Sequence, residues 1–358
     1  MTTACVGSLG WARWADLFRL LIGLPTPAVT PNILRAVDES PGPAWRTDIR
    51  TAYELFATKH VESLTSRQIL EAAFAAMRRH AGSSVAMPRF SDIADVVPDD
   101  QARFDAATDA LLRERPDVSP AELRSAAIDA MVNLVPDGHT RYWPVWADAP
   151  IRDIAEGRCE VRSELLPGGI GYIWWNAWVQ SETIDIVAEL RKRMESLLRK
   201  GARAWLFDVR GNHGGSGARL ATAMFLNGEP VFRVTHRDGR EEMMVAEGSL
   251  RLPDEYQLPI AVAVDSGTWS ASEIFAFGLQ QYSRATIVGE RTAGFVGSVD
   301  GAVLSEDARV AVNVTKITGP NGEMYNNVGV KPDIETKSAD AVDAASRHLR
   351  GKLTPVLT

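Results

Sequence analysis

From about Gly168 onward the chain alternates short, wholly apolar runs with helix-like stretches, and this alternation constrains its fold more than any other feature. It reads GIGYIWW, ETIDIVAELRKRMESLLRKG, ARAWLFDVRG, a helical segment from about Arg219, LPIAVAVD, a helix beginning at Ser270, and ATIVGE. Runs such as AWLF and IAVAV lack polar alternation, so both of their faces must be covered. Strand, crossover helix and strand in succession make a largely parallel sheet with helices packed on it. Ligands of such sheets sit beyond the carboxyl ends of the strands. The loop with Arg210, Asn212 and Gly214 follows one strand end and Ser270 follows the next, so the two are expected to converge. Residues 299–336 read as short alternating strands around the turn GPNGE, an antiparallel extension.

Residues 1–135 are expected to form an N-terminal helical domain, and 136–358 the α/β domain. In RTDIRTAYELFATKHVESL, Ile49, Tyr53, Phe56 and His60 recur at helical intervals. SRQILEAAFAAMRRHAG ends in basic residues before Gly82, as a helix C-terminus should. SPAELRSAAIDAMVNLV opens with a Ser-Pro cap and carries an apolar stripe through Ala126, Ile128 and Leu134, whereas MPRFSDIADVVPDDQ reads as loop. Near the start, Trp11, Trp14, Phe18 and Leu21 fit an amphipathic helix. Asp16 and Arg19 interrupt that stretch, so neither a secretory signal nor a stable membrane insertion is expected.

A net charge of −7 offers no basic face to nucleic acid. Two cysteines, Cys5 and Cys159, supply neither a disulfide framework nor a metal spacing. They suit a reducing, cytoplasmic setting, and no metal or other cofactor is expected. Assembly into a homo-oligomer stays open.

Ser270 opens the helix of GTWSASEIF. With Glu273 it forms a capping box, and the same placement suits a nucleophile. A serine nucleophile needs a base, and among six histidines His139, in the turn of PDGHTRYWP, is the strongest candidate. His60 and His80 fall on helix patterns, His236 in a charged turn and His348 in the basic C-terminal segment. The glycine loop DVRGNHGGSG lets main-chain amides face developing negative charge. It reads equally as a tight strand-to-helix turn, and it lacks the Lys-Ser/Thr ending of a phosphate loop.

These stretches come in a fixed order: Asp137-Gly138-His139-Thr140, Gly169-Ile170-Gly171-Tyr172-Ile173, and Asp208-Val209-Arg210-Gly211-Asn212 with Gly214-Gly215. Ser270-Ala271-Ser272-Glu273, Val288-Gly289-Glu290, and Gly329-Val330 with Pro332-Asp333-Ile334 follow. Together they resemble the C-terminal-processing (tail-specific) S41 peptidases and their tricorn and interphotoreceptor retinoid-binding relatives. The resemblance runs from about Ala121 to Thr336. It implies a crotonase/ClpP-like, mostly parallel α/β core, Ser270 as nucleophile and His139 as base. Gly214, Gly215 and the amide of Ala271 are then the expected oxyanion donors.

The family's serine–lysine arrangement needs a lysine where Phe295 stands and an acid where Gln281 stands, so that chemistry is excluded. The tricorn-like arrangement pairs serine with histidine, supported by a neighbouring serine and a distant glutamate. Here Gly138 takes the serine's place and Asn326 the glutamate's. An amide orients an imidazole without stabilising its cation, which predicts a slow hydrolase. Asp137 and Glu323 are the other candidates to support His139. His213 replaces the loop's usual proline and reads either as an acid–base group or as a solvent-facing turn residue.

The segment from Thr140 to Gly169 is too short for the PDZ module that binds substrate C-termini in such peptidases. It is aromatic instead. Trp143, Trp146, Trp174, Trp175 and Trp178 belong either to the core or to an apolar pocket, with Trp174 and Trp175 taken as substrate-binding. The expected activity is hydrolysis of a peptide or other acyl bond in a small, partly apolar substrate. Two alternatives stay open: an apolar-ligand binder that kept the fold, and a biosynthetic enzyme using His139 and His213 as acid and base.

Overall fold

The computed structural model describes residues 43–145, 152–180 and 184–353. The segment with Trp11 and Trp14, Cys5 and Trp146 lie outside them. Four helices come first: α1 (Ala44–Thr58), α2 (Ser66–Ala81), α3 (Pro98–Glu114) and α4 (Pro120–Val132). At the start of α2, Gln68 N donates to Thr65 Oγ1 at 3.3 Å and Thr65 N to Gln68 Oε1 at 2.8 Å, a reciprocal cap. The helix stops at Gly82, whose φ of 61° only glycine holds without strain. The residues PDDQ, expected as loop, open α3 instead. Pro98 sits in its first turn with Asp99 and Asp100 beside the positive end of the helix. Ser119 precedes α4 without a side-chain cap.

Strand β1 (Arg141–Trp143) follows, then β2 (Val161–Leu166), β3 (Ile170–Trp175), helix α5 (Ile186–Arg199), β4 (Ala204–Asp208) and the short helix α6 (Ala218–Ala223). A hairpin of β5 (Pro230–His236) and β6 (Glu241–Val245) precedes β7 (Ile260–Val264), α7 (Ala271–Gln280) and β8 (Ala285–Gly289). Then come β9 (Val299–Val303), β10 (Arg309–Asn313), β11 (Thr315–Thr318), β12 (Ile334–Glu335) and α8 (Ala341–Leu353).

The central sheet runs β12-β8-β7-β4-β3-β2, parallel except for the edge strand β2. The architecture is therefore α/β with a mostly parallel sheet. Alternation along the strands sorts side chains by size. Trp205, Phe207, Ile260 and Val262 pack with residues of α5, α6 and α7, while Ala204, Ala261 and Ala263 meet Ala341, Ala345 and Leu349 of α8. The alanines leave room for α8 to lie close.

The segment read as one antiparallel extension divides among three sheets. β10 lies between β1 and β9, β11 pairs with β5 of the β5–β6 hairpin, and β12 lies beside β8. Such partners are chosen by long-range packing, which local alternation does not encode. The core of α1–α4 holds Phe56, Phe74, Phe104 and Ile128, and it also takes in Ala302, Val310 and Val312 from β9 and β10. Two partly buried links reinforce the seam. Arg124 of α4 donates to Ser305 Oγ at 2.8 Å, and Arg237 beyond β5 donates to Ala57 O at 2.7 Å and to the carbonyl of His60. Among the described residues, no helix is long and apolar enough to cross a membrane.

Candidate active site

The chain leaves β7 and turns into α7 through Ser270, which has φ 53° and ψ −115°. A side-chain-bearing residue holds such a conformation only when its surroundings impose it, at a cost of roughly 1–3 kcal/mol. Ser270 N donates to Phe295 O at 2.8 Å and to Glu273 Oε2 at 3.0 Å. Glu273 thus supplies the carboxylate half of the expected capping box. This carboxylate is fully buried and also accepts from Thr292 Oγ1 at 2.5 Å, Gly294 N at 2.8 Å and Phe295 N at 2.8 Å. Burial pushes it up to about 7 in spite of these bonds. One carboxylate therefore fastens the Ser270 turn to the loop carrying Phe295.

The glycine loop after β4 is held by Asn212, itself fully buried. Its Nδ2 donates to Trp175 O at 2.9 Å, and its Oδ1 accepts from Gly214 N at 3.0 Å. The Gly214 amide is therefore already engaged and does not face a substrate, a correction to its expected role as an oxyanion donor. The amides of Gly215 and Ala271 have no acceptor among the described residues. Loop and turn touch: a Cβ on Gly214 would lie 2.7 Å from Ser270 Cβ and 3.0 Å from Ala271 N. Only glycine lets the two backbones approach this closely.

His139 arrives from the other side, on the turn between α4 and β1. Asp137 organises that turn, accepting from His139 N at 3.0 Å and Thr140 N at 2.6 Å through Oδ1. Its Oδ2 accepts from Thr140 Oγ1 at 2.9 Å and contacts His60 Nε2 at 3.2 Å. Burial works against the Asp137 charge, but the bonds from His60 and Thr140 win and hold its carboxyl below the usual range.

Ser270 and His139 line one cavity of about 80 Å³, together with His213 and Gly215. That is room for a few waters or a small side chain. Its walls are Trp143, Ile154, Trp269, Phe295, Val299 and Ala311, and one cation, Arg141. The His213 ring lies 4.1 Å from that of Trp269, centroid to centroid. Burial, helped by the Arg141 charge and opposed by Asp137, lowers His139 to about 4, so its imidazole is neutral at pH 7.

The expected supports of His139 all turn elsewhere. Its Nδ1 is buried without a hydrogen-bond partner among the described residues. Asn326 Oδ1 accepts from Val296 N at 3.4 Å, and Glu323 binds Asn321 at its amide (3.0 Å) and Nδ2 (3.1 Å). Asp137 serves the backbone of the turn rather than the ring.

Trp174 and Trp175 do not line the cavity either. Neighbouring strand residues point to opposite faces. Trp175 is fully buried edge-on to Trp178 at 5.0 Å, and Trp174 lies under Arg162 of the edge strand at 4.7 Å. Trp178, also fully buried, donates from Nε1 to Ser272 Oγ at 2.9 Å. Sequence reasoning passed over Arg141, Trp269 and the wall-forming role of Phe295. Their only signal was position beside His139, beside Ser270, and at the place of the absent lysine. Among the described residues no group of three or more His, Cys, Asp or Glu is arranged to hold a metal ion.

The model of peptidase family S41 matches residues 169–336. This part of the chain is similar to peptidase family S41. The S41 match contains the glycine loop, Ser270, Phe295 and Asn326, whereas His139 precedes it. Over 184 residues the chain is 33 % identical to the carboxy-terminal processing protease CtpA of Bacillus subtilis (strain 168), covering 50 % of this chain and 38 % of that protein. It is 34 % identical over 172 residues to the carboxyl-terminal-processing protease of Synechocystis sp., covering 47 % and 38 %. The chain thus spans well under half the length of either relative. The fold is shared with a lipoprotein from Streptococcus agalactiae, with a TM-score of 0.57, 14 % identity, and coverage of 88 % of this chain and 99 % of that one.

Proposed function

We infer that the protein is a serine-type hydrolase acting on a peptide or other acyl bond in a small, partly apolar substrate. The observation that carries this reading is that Ser270 and His139, far apart along the chain, line a single apolar-walled cavity. Similarity to family S41 and the names of the relatives support a peptide bond as the target. Ser270 Oγ attacks the acyl carbon while His139 takes its proton and returns it to the leaving group. The amides of Gly215 and Ala271 hold the oxyanion, each such donor being worth roughly 10²–10³ in rate. Water, activated by the same imidazole, then releases the acyl group. Phe295 contributes no base, and Gln281 is tied to Val231 O at 3.0 Å.

The hydrolase is slow. With Nδ1 of His139 unpartnered among the described residues, none of them holds a proton there while Nε2 acts as base. Loss of that control in a full triad costs about 10⁴ in rate. The same gap favours a second reading, a ligand binder that kept the cavity. A fluorophosphonate is expected to label Ser270, with labelling absent in Ser270→Ala and slowed by about 10²-fold or more in His139→Ala. Labelling at another residue, or unchanged labelling in His139→Ala, overturns the hydrolase. Tight binding of an apolar ligand, without turnover and indifferent to Ser270→Ala, establishes the binder.

A further inference from the structure

Arg141 stands out among the guanidinium groups drawn toward the interior. Arg124 is paired with Asp48 at 3.1 Å and Arg210 with Asp208 at 2.7 Å. Arg237 donates to Ala57 O at 2.7 Å, and Arg284 to Leu258 O at 3.0 Å and Gln257 Oε1 at 3.2 Å. In each of these, terminal guanidinium nitrogens have acceptors. Arg141 uses only Nε, which donates to Gly138 O at 2.6 Å. No described carboxylate or carbonyl meets its two terminal nitrogens, and its other neighbours are the rings of Trp269 (5.3 Å) and Phe295 (5.0 Å).

The bond to Gly138 and the two rings fix the guanidinium plane within the cavity that holds Ser270 and His139. A half-buried cation against apolar walls, with terminal N–H groups that no described residue accepts from, is electrostatically incomplete. Burial lowers its pKa, Asp137 pulling the other way. An anion on the ligand would complete it. A carboxylate matches the guanidinium fork in two parallel bonds and is small enough for the space, whereas the faces of Trp269 and Phe295 stabilise the cation without neutralising it.

We propose that Arg141 anchors a carboxylate of the substrate, so that the cavity selects acyl compounds carrying a free acid close to the scissile bond. This rests on the acyl-transfer reading for its chemistry, but the anion site itself does not. The acid is either the terminal carboxylate of a short peptide or an acidic side chain, and the experiment separates the two.

Binding to the Ser270→Ala protein is measured by calorimetry. One arm uses N-acetylated alanyl and valyl dipeptides, each as free acid and as C-terminal amide. The other uses N-acetylglutamate amide against N-acetylglutamine amide. Free acids in one arm are expected to bind about 10- to 100-fold more tightly than their neutral partners. The preference should disappear in Arg141→Gln and survive in part in Arg141→Lys, which keeps the charge and guards against mere loss of packing. The arm showing the preference identifies the source of the acid. Equal or absent binding of acid and neutral partner in both arms overturns the proposal, as does a preference unchanged in Arg141→Gln. Fluorophosphonate labelling of the unmodified protein reports separately. Labelled Ser270 without acid preference sinks the anchor alone, and Arg141-dependent acid binding without labelling sinks the hydrolase alone.

Discussion

The ring of Phe295 fills the space that a side chain at Gly138 would need: a Cβ built there would overlap its Cγ and Cδ1 atoms. These are the two positions where the chain departs from the lysine and serine of related peptidases. They are coupled departures. The ring closes the wall beside His139 and is possible only because the preceding residue has no side chain.

Gly138→Ser is therefore expected to destabilise the protein by about 1–3 kcal/mol, the usual cost of overfilling a packed site. Phe295→Ala should recover much of that loss in the double variant. Urea unfolding of the four proteins tests this through a double-mutant cycle, with a coupling of about 1 kcal/mol or more expected. Strict additivity would show that the two residues do not share the space.

His60, fully buried at the end of the first helical stretch, acts on His139 through Asp137. Its Nδ1 accepts from Glu62 N at 3.0 Å, which leaves the proton on Nε2 to donate to Asp137 Oδ2. His60→Phe strands a buried carboxylate, at a cost of about 1–3 kcal/mol. It should lower kcat about 10-fold with little change in KM, because the turn presenting His139 loosens. It should also move the acid limb of the pH profile to lower pH, since a protonated Asp137 no longer favours the His139 cation. His60→Gln, which keeps an N–H donor, should restore most of kcat. A structural role alone would lower the folded fraction without moving the pH limb.

His139, lowered to about 4, sets the sign of two pH effects. The base is neutral above that value, so kcat/KM should hold its plateau well below pH 6.5 and fall only near pH 4. In Arg141→Gln the limb should move upward, because a cation that opposed protonation is gone. For stability, the unfolded chain binds a proton at His139 below about 6.5 while the folded one does not until about 4. The contribution is complete above pH 6.5 and lost as pH falls through that window, on the order of 3 kcal/mol at most. Urea titrations from pH 4 to 7, with His139→Gln as reference, should show the difference. An acid limb near 6.5 in the unmodified protein would mean an ordinary, solvated histidine.

Much of the framework was legible without coordinates because it is written locally. Apolar runs without polar alternation marked β3, β4, β7 and β8, and Glu273, three residues after Ser270, announced its cap. The same lack of alternation hid which face each residue of a doubly covered strand would take, so Trp175 was indistinguishable from a pocket residue until it met Trp178. Helix α3 was missed because Asp99 and Asp100 look like loop and act as charges at a helix start.

The sequence by itself determined the class of fold and placed Ser270 at a strand-to-helix turn, since each depends on residue type over a few neighbours. Only the tertiary structure decided what surrounds them. Asn212 claims the Gly214 amide, Asn326 serves Val296 rather than His139, and Arg141 comes to lie against Trp269 and Phe295 with its terminal nitrogens unmet by the described residues. The physical reason is range. Hydrogen bonds and charges act over a few ångströms, and chain folding, not sequence distance, determines which groups come within that reach.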